Sequence, residues 1–198
     1  GIDVVFPVLH GTFGEDGTVQ GLLELADLPY VGAGVFASAA CMHKGFTKRI
    51  CAAGGIPVGE FVEGRSWEEE ILLVDRAESS FGYPCFVKPA NLGSSVGISK
   101  AVSREELEDA IQFAFRFDDT VIVERAITGQ ELECSILGNE TIEASIAGEV
   151  IPGKEFYDYE DKYVDGKART LIPARISEED QSRVRALAVR VGHTLNLE

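Results

Sequence analysis

A lysine ends an apolar run in PCFVKPANLGSSVGIS, residues 84–99, just ahead of a loop of small residues. Phe86 and Val87 read as core, Lys88 does not, and Pro89 stops the run. Gly93, Ser94, Ser95, Val96 and Gly97 then make a tip whose backbone N–H groups and hydroxyls can close over an anion. At the mouth of such a hairpin Lys88 could set its ammonium on the same anion while its stem lies along the sheet. A P-loop is excluded, because the lysine precedes the glycines and the loop runs into a strand instead of opening a helix. A dinucleotide fingerprint fails on the same ground. Taken alone, the residues also fit a flexible hairpin with an edge lysine.

Three further stretches carry chemistry. In VIVERAITGQE, residues 121–131, a buried strand runs out into polar residues at a hinge. Glu124 with the backbone of Arg125, Ala126 and Ile127 could hydrogen-bond an adenine edge, and Glu131, seven residues on, could hold a ribose diol. A solvated strand end has the same composition. FYDYEDKY sets Lys162 among aromatics on a polar segment, as in a lid. Lys44 follows the helical run SAACMH, where a lysine is ordinarily a surface residue. A hydrolase built on Ser94 and His10 would need a strained nucleophile turn and an orienting acid, and neither signature is present.

The elements that must position these residues fall into two styles. Residues 2–9 read as a buried strand, followed by a glycine-rich loop and a short helix with Val19, Leu22, Leu23 and Ala26 on its apolar face. A strand and turn follow at 30–34. Ser38 is placed to cap a helix that bends near Gly45 and ends at Gly54-Gly55. Strand, loop and helix alternate here, which indicates α/β architecture. Beyond Val58 a helix over 67–79 precedes the two strands that flank the glycine-serine loop. Ser103 and Glu106 form a capping-box pair, and Leu107, Ala110, Ile111, Ala114 and Phe115 mark one helical face. Residues 120–124 make a short apolar strand, and a hairpin turns at Gly138-Asn139. Ser177 caps a last helix with Val184, Leu187, Ala188 and Val191 on one face. Hairpins with helices between them indicate an α+β domain with an antiparallel sheet.

Net charge bounds the partners. At −15 the chain disfavours nucleic acid, although a nucleotide remains possible where a few cations converge. Cys41, Cys51, Cys85 and Cys134 form no CxxC pair and sit among apolar residues, so they read as reduced core cysteines. The three histidines give no zinc pattern. Neither a membrane-spanning run nor a signal peptide is recognisable, which makes a cytoplasmic location the expectation. The apolar opening and the abrupt stop after a helical stretch suggest the middle of a longer protein.

In this order HGTFGEDGTVQG, MHK, FVKPANLGSSVGIS, VIVERAITGQE and FYDYEDKY resemble the ATP-grasp ligases, specifically the D-alanine–D-alanine ligases, along nearly the whole chain. The resemblance implies an ATP-grasp fold preceded by a partial Rossmann-like α/β domain. Residues 1–44 would be the second part of the N-terminal domain and 45–131 the central ATP-grasp subdomain. The C-terminal subdomain would begin at 132, with a lid loop at about 150–168. ATP would lie between the two ATP-grasp subdomains. Lys44 and Lys88 match the lysines on the nucleotide phosphates, and Gly93 to Gly97, with Ser94, Ser95 and Val96, match the loop over the γ-phosphate. Glu124, Arg125, Ala126 and Ile127 match the adenine hinge, Glu131 the ribose carboxylate, Phe156 an aromatic near the adenine, and Lys162 the lid lysine on the transferring phosphate. Ser94 and Tyr163 match hydroxyls beside the first D-alanine, and His10 lies in the part that faces the substrates.

The implied chemistry suits these residue types. A carboxylate is a poor acyl donor, so the family first converts one D-alanine to an acyl phosphate, which the amine of a second D-alanine attacks. The protein's task is to position the groups and neutralise moving negative charge, and a closing loop and lid would exclude water. Tyr163, where D-lactate-adding relatives tend to carry His, points to D-alanine as second substrate. The acidic residue for the first substrate's ammonium and the carboxylates and Asn for two Mg²⁺ or Mn²⁺ ions match nothing in this chain, so the 198 residues alone are expected to turn over weakly or not at all. The family is commonly dimeric, and a homodimer is the expectation. His43 stands where the family commonly has Asp. Other readings are a D-serine, D-lactate or different ATP-grasp carboxylate–amine ligase, and a nucleotide-binding module without catalysis.

Overall fold

In the computed structural model, residues 1–152 and 169–197 are described. Its centre is a four-stranded antiparallel sheet in the order β1-β4-β2-β3, built from β1 (Phe61–Arg65), β2 (Cys85–Pro89), β3 (Ser99–Ala101) and β4 (Thr120–Arg125). Successive strand residues point to opposite faces, so Cys85, Val87 and Pro89 go to one side and Phe86 and Lys88 to the other. The first side is dry. Helices α4 (Glu70–Ser80) and α5 (Arg104–Ala114) cover it, and Leu73, Val74, Ala77, Leu107, Ala110 and Ile111 close over Cys85, Val87, Val121 and Val123. The face expected for α5 is the one buried, with Phe115 partly so. Ser103 Oγ accepts the Glu106 N–H at 3.3 Å, while the Glu106 carboxylate takes the N–H of Val102, one residue before the cap.

Ahead of this sheet come α1 (Thr18–Leu25), α2 (Val35–Met42) and α3 (Lys44–Ala53). Val5 and Tyr30 form a parallel bridge on either side of α1, the beginning of a crossover unit. The buried strand expected over 2–9 is not formed as such. Only Val5 is bridged, and Phe6 and Val8 are 71% and 70% exposed, because among the described residues only the backbone of residues 29–31 pairs with this segment. On α1, Leu23 is buried but Leu22 is exposed, and Gln20 takes the inner position, with its Nε2 donating to Gly14 O.

The single bent helix expected from Ser38 is two helices. Gly34 caps α2, and Ser38 lies inside it, its Oγ donating to Ala33 O. The chain breaks at His43, whose extended backbone starts α3 and whose Nδ1 accepts the Phe46 N–H at 3.2 Å. An imidazole supplies here the acceptor that Ser or Asp usually provides. The helix ends at Ala53, with Gly54 of the anticipated pair as its C-cap.

On the C-terminal side β5 (Glu131–Glu133), β8 (Gly148–Ile151) and β9 (Arg169–Leu171) form a three-stranded sheet, and β6 (Ile136–Leu137) pairs with β7 (Glu143–Ala144) as the expected hairpin. Gly138 turns it with φ +135°, and a Cβ there would meet Thr141 O at 1.9 Å. The last helix, α6 (Glu178–Leu195), is capped by Ser177 as anticipated, its Oγ accepting the Asp180 N–H. Leu187 and Val191 pack with Leu195 on Cys51 and Ile56, which ties α6 to α3. The four cysteines are free thiols, Cys51 and Cys85 buried, Cys41 and Cys134 partly so.

Candidate functional site

The second face of the central sheet carries charge. Phe86 stands opposite Glu124 in the β2–β4 register, and Lys88 stands one step further along the same face, opposite Ile122. A diagonal neighbour is within reach of a long side chain, and the Lys88 ammonium contacts Glu124 Oε2 at 2.6 Å. On β1 the same face presents Phe61, Glu63 and Arg65, set by their pairing with Glu124, Ile122 and Thr120.

Helix α3 lies over this face because Gly45 lets it approach. A Cβ on Gly45 would meet Glu63 Oε2 at 2.0 Å. Lys44 and Lys48, one turn apart, therefore both point to the sheet. The Lys44 backbone N–H donates to Ala90 O at 2.9 Å, and its ammonium donates to Pro89 O at 3.1 Å and to Leu92 O. This fixes Lys44 at the root of the glycine-serine loop. Burial and, after it, the neighbouring charge of Lys88 bring its pKa down to about 8, against the opposing pull of Glu124 and Asp118. Lys48 sits at the other end, 3.2 Å from Glu124 Oε1 and 3.2 Å from Gly59 O, with its ammonium 5.4 Å from the centre of the Phe61 ring. The Glu124 side chain is 13% exposed. Burial alone would raise its pKa, but Lys88 and Lys48 outweigh burial and hold it below the ordinary 4.5.

The loop itself is tightly specified. Ser94 and Ser95 have φ of +52° and +59° and Gly97 has +72°, so three left-handed residues fall within four positions. The Val96 N–H closes on Gly93 O at 3.2 Å. Consecutive turns of this kind aim backbone N–H groups inward and make an anion-binding concavity. Asp118 anchors the approach to the loop, accepting both the N–H and the side-chain amide of Asn91.

The structure thus brings Lys44, Lys88, Glu124 and the 93–97 loop together over one sheet face. Of the hinge backbone expected from the sequence to meet an adenine edge, two N–H groups are already engaged. Arg125 N–H donates to Glu60 O at 3.0 Å and Ala126 N–H to Pro84 O at 3.1 Å, since β4 continues its pairing past Glu124. Arg125 makes an exposed ion pair with Glu60, and Ile127 remains exposed beyond them. Glu131 is exposed on β5, paired in register with Val150. His10 is exposed on the loop before α1, and a cavity of about 520 Å³ joins that loop, through Leu9, Gly14 and Gln20, to Lys44 and Gly93. Phe156, Lys162 and Tyr163 lie outside the described residues.

Sequence reading missed Lys48, Asp118 and the capping role of His43. Lys48 carried a signal, its spacing of four from Lys44. Asp118 carried none, because its partner Asn91 is 27 residues away. Among the described residues no three His, Cys, Asp or Glu side chains gather to hold a metal ion, and no helix is long and apolar enough to cross a membrane.

Comparison with known proteins gives a consistent result. The family model described as D-ala D-ala ligase C-terminus matches residues 50–198, and that described as D-ala D-ala ligase N-terminus matches residues 1–33. The chain is similar to the D-alanine–D-alanine ligase of Thermoanaerobacter pseudethanolicus, 54% identical over 99% of this chain and 55% of the relative. It is also similar to that of Solibacter usitatus, 56% identical over 95% of this chain and 57% of the relative. Among solved structures it resembles the VanG D-Ala:D-Ser ligase from Enterococcus faecalis, with a TM-score of 0.91 at 38% identity over 99% of this chain and 57% of that one. The D-alanine-D-alanine ligase from Coxiella burnetii gives a TM-score of 0.83 at 38% identity over 98% of this chain and 51% of that one. The chain spans a little over half the length of the curated relatives it matches.

Proposed function

The chain belongs to the D-alanine–D-alanine ligase family and has its ATP-grasp fold, and from that premise we propose that the whole protein joins two D-alanines at the expense of ATP, by way of an acyl phosphate. The single observation that carries this reading is the convergence of Lys44 and Lys88 at the entry to the 93–97 loop. Residues 44 positions apart could be anywhere on a surface; here one is bonded to the root of the loop and the other ends the strand that enters it.

In this reading the phosphates of ATP lie between Lys44, Lys88 and the 93–97 loop, with Ser94 and Ser95 beside the transferred group. Lys44 and Lys88 neutralise charge as it moves between oxygens, which is the larger part of phosphoryl-transfer catalysis. Glu124 and the hinge through Ile127 hold the adenine, Glu131 the ribose, and Phe156 lines the adenine pocket. With the N–H groups of Arg125 and Ala126 already engaged, the adenine ring nitrogens find their hinge donor at Ile127. Lys162 completes the cations, Ser94 and Tyr163 orient the first D-alanine, and His10 faces the substrate cavity. The divisions at residues 44 and 131 follow the same assignment. Among the described residues no three His, Cys, Asp or Glu side chains gather to hold a Mg²⁺ or Mn²⁺ ion. A cytoplasmic homodimer serving peptidoglycan precursor synthesis completes the proposal.

The test is phosphate release by the full-length protein with Mg-ATP, with and without D-alanine, and mass detection of the dipeptide. D-alanine-dependent release with D-alanyl-D-alanine formed is the expected result. Nucleotide binding without such release would overturn the ligase reading in favour of a non-catalytic binding module. The likeness to a D-Ala:D-Ser ligase makes D-serine the one competing second substrate worth including. Tyr163 favours D-alanine, and a mixed dipeptide predominating at equal concentrations would reverse that choice. A Tyr163→His variant is expected to gain D-lactate ligation at low pH.

A further inference from the structure

Glu124 is held by two cations of different standing. Lys88 Nζ takes Oε2 at 2.6 Å and Lys48 Nζ takes Oε1 at 3.2 Å. The position of Lys48 is fixed independently of Glu124: its ammonium also donates to Gly59 O and lies over Phe61, and it is within 3.5 Å of the place a Gly59 Cβ would occupy. Lys88 leans on Glu124 from the strand that leads into the 93–97 loop. If that loop closes on phosphate, Lys88 cannot keep a 2.6 Å contact with Glu124 and also give its full charge to the anion. A carboxylate this buried would then lose half of its neutralisation.

We propose that Lys48 is a positioning residue, the standing counter-ion that keeps Glu124 ionised and correctly turned when Lys88 is drawn to the nucleotide phosphates. The inference rests on the nucleotide-site reading above and adds to it a residue that makes no phosphate contact. The other charged groups facing Glu124 do not substitute for Lys48. Lys44 on α3 is committed to Pro89 O and Leu92 O. Arg65 on β1 is paired with Glu63, as is Arg49 on α3. Lys100 on β3 stands opposite Phe86, a full strand away from β4.

The consequence is a proton. Without Lys48, the departure of Lys88 leaves Glu124 buried and uncompensated, its pKa rises, and it takes up a proton as the nucleotide binds. Calorimetric titration of the full-length protein with Mg-ADP near pH 6, in two buffers of different ionisation enthalpy, counts that proton. Lys48→Met is expected to bind about tenfold more weakly, the scale of one lost charge-assisted contact, and to take up more protons than wild type. Lys48→Arg is expected to restore both values. The wild-type reference cancels titration of the phosphate and of Lys44, and thermal melts of both variants establish that they are folded. Weakened binding with unchanged proton uptake would reduce Lys48 to a wall of the pocket and overturn the proposal, as would unchanged binding. Wild-type protein that binds no Mg-ADP would overturn the nucleotide site and this inference together, so the two failures are distinguishable.

Discussion

Gly97→Ala isolates what fixes the glycine-serine loop. Two independent penalties fall on the added methyl. The backbone at 97 has φ +72°, a conformation that costs an L-residue roughly 1–2 kcal/mol. The new Cβ would also stand 2.8 Å from Phe117 Cδ2 and 2.8 Å from Pro89 Cγ, and neither neighbour is a flexible chain end. Forcing a carbon into such a packed site costs about 1–3 kcal/mol. The two together give about 2–5 kcal/mol. Gly93→Ala is the internal control, since nothing lies within 4 Å of its Cβ and its φ is not left-handed; it should stay within about 0.5 kcal/mol of wild type. The assay is urea unfolding of the full-length protein followed by far-UV circular dichroism, with nucleotide affinity measured on the folded variants. A Gly97→Ala effect below about 1 kcal/mol, or one equal to that of Gly93→Ala, would mean that the loop relaxes freely and that its left-handed residues are not enforced by Phe117 and Pro89.

Other outcomes follow from the same contacts. Lys44, with its pKa near 8, should lose its charge as pH rises through that value, so nucleotide affinity is expected to fall above pH 8; Lys44→Arg should move the fall to higher pH, and titrations from pH 7 to 9.5 check both. Glu149 is 4% exposed and accepts from Arg175 and Gln130, with Arg175 first among the causes that hold its pKa at about 2 against the usual 4.5. A depressed carboxylate contributes stability that is present above pH 4.5 and lost as pH falls toward 2. The melting-temperature gap between wild type and Glu149→Gln should therefore narrow across that window, and a gap independent of pH would refute the pairing. Leu107→Ala removes a fully buried side chain between α5 and the sheet and should cost about 2–5 kcal/mol in urea unfolding.

Legibility followed the range of the forces involved. The α5 face, the Ser103 and Ser177 caps and the Gly138 hairpin were readable because each is settled within a few residues by period, cap or turn chemistry. The misreadings had non-local causes. Ser38 has the right type for a cap, but packing placed Gly34 there and left the serine hydroxyl bonding backward to Ala33 O. Residues 2–9 have the composition of a core strand, yet burial depends on what lies alongside, and among the described residues only the backbone of 29–31 pairs with them. The N–H groups of Arg125 and Ala126 looked available because the carbonyls that engage them, Glu60 O just ahead of β1 and Pro84 O just ahead of β2, are about 40 to 65 residues distant.

By itself the sequence determined the alternation of elements, the family motifs, and the identity of Lys44, Lys88, Glu124 and the 93–97 loop as chemistry out of place in a core. Only the tertiary structure decided how their charges are shared. It paired Lys88 and Lys48 with one carboxylate, lowered the pKa of Lys44, and fixed the loop through Asp118 and Phe117. Motifs are short because local backbone geometry is set by neighbours in the chain. Electrostatics and desolvation depend on distance in space, and strand register and the approach of α3 over Gly45 set those distances.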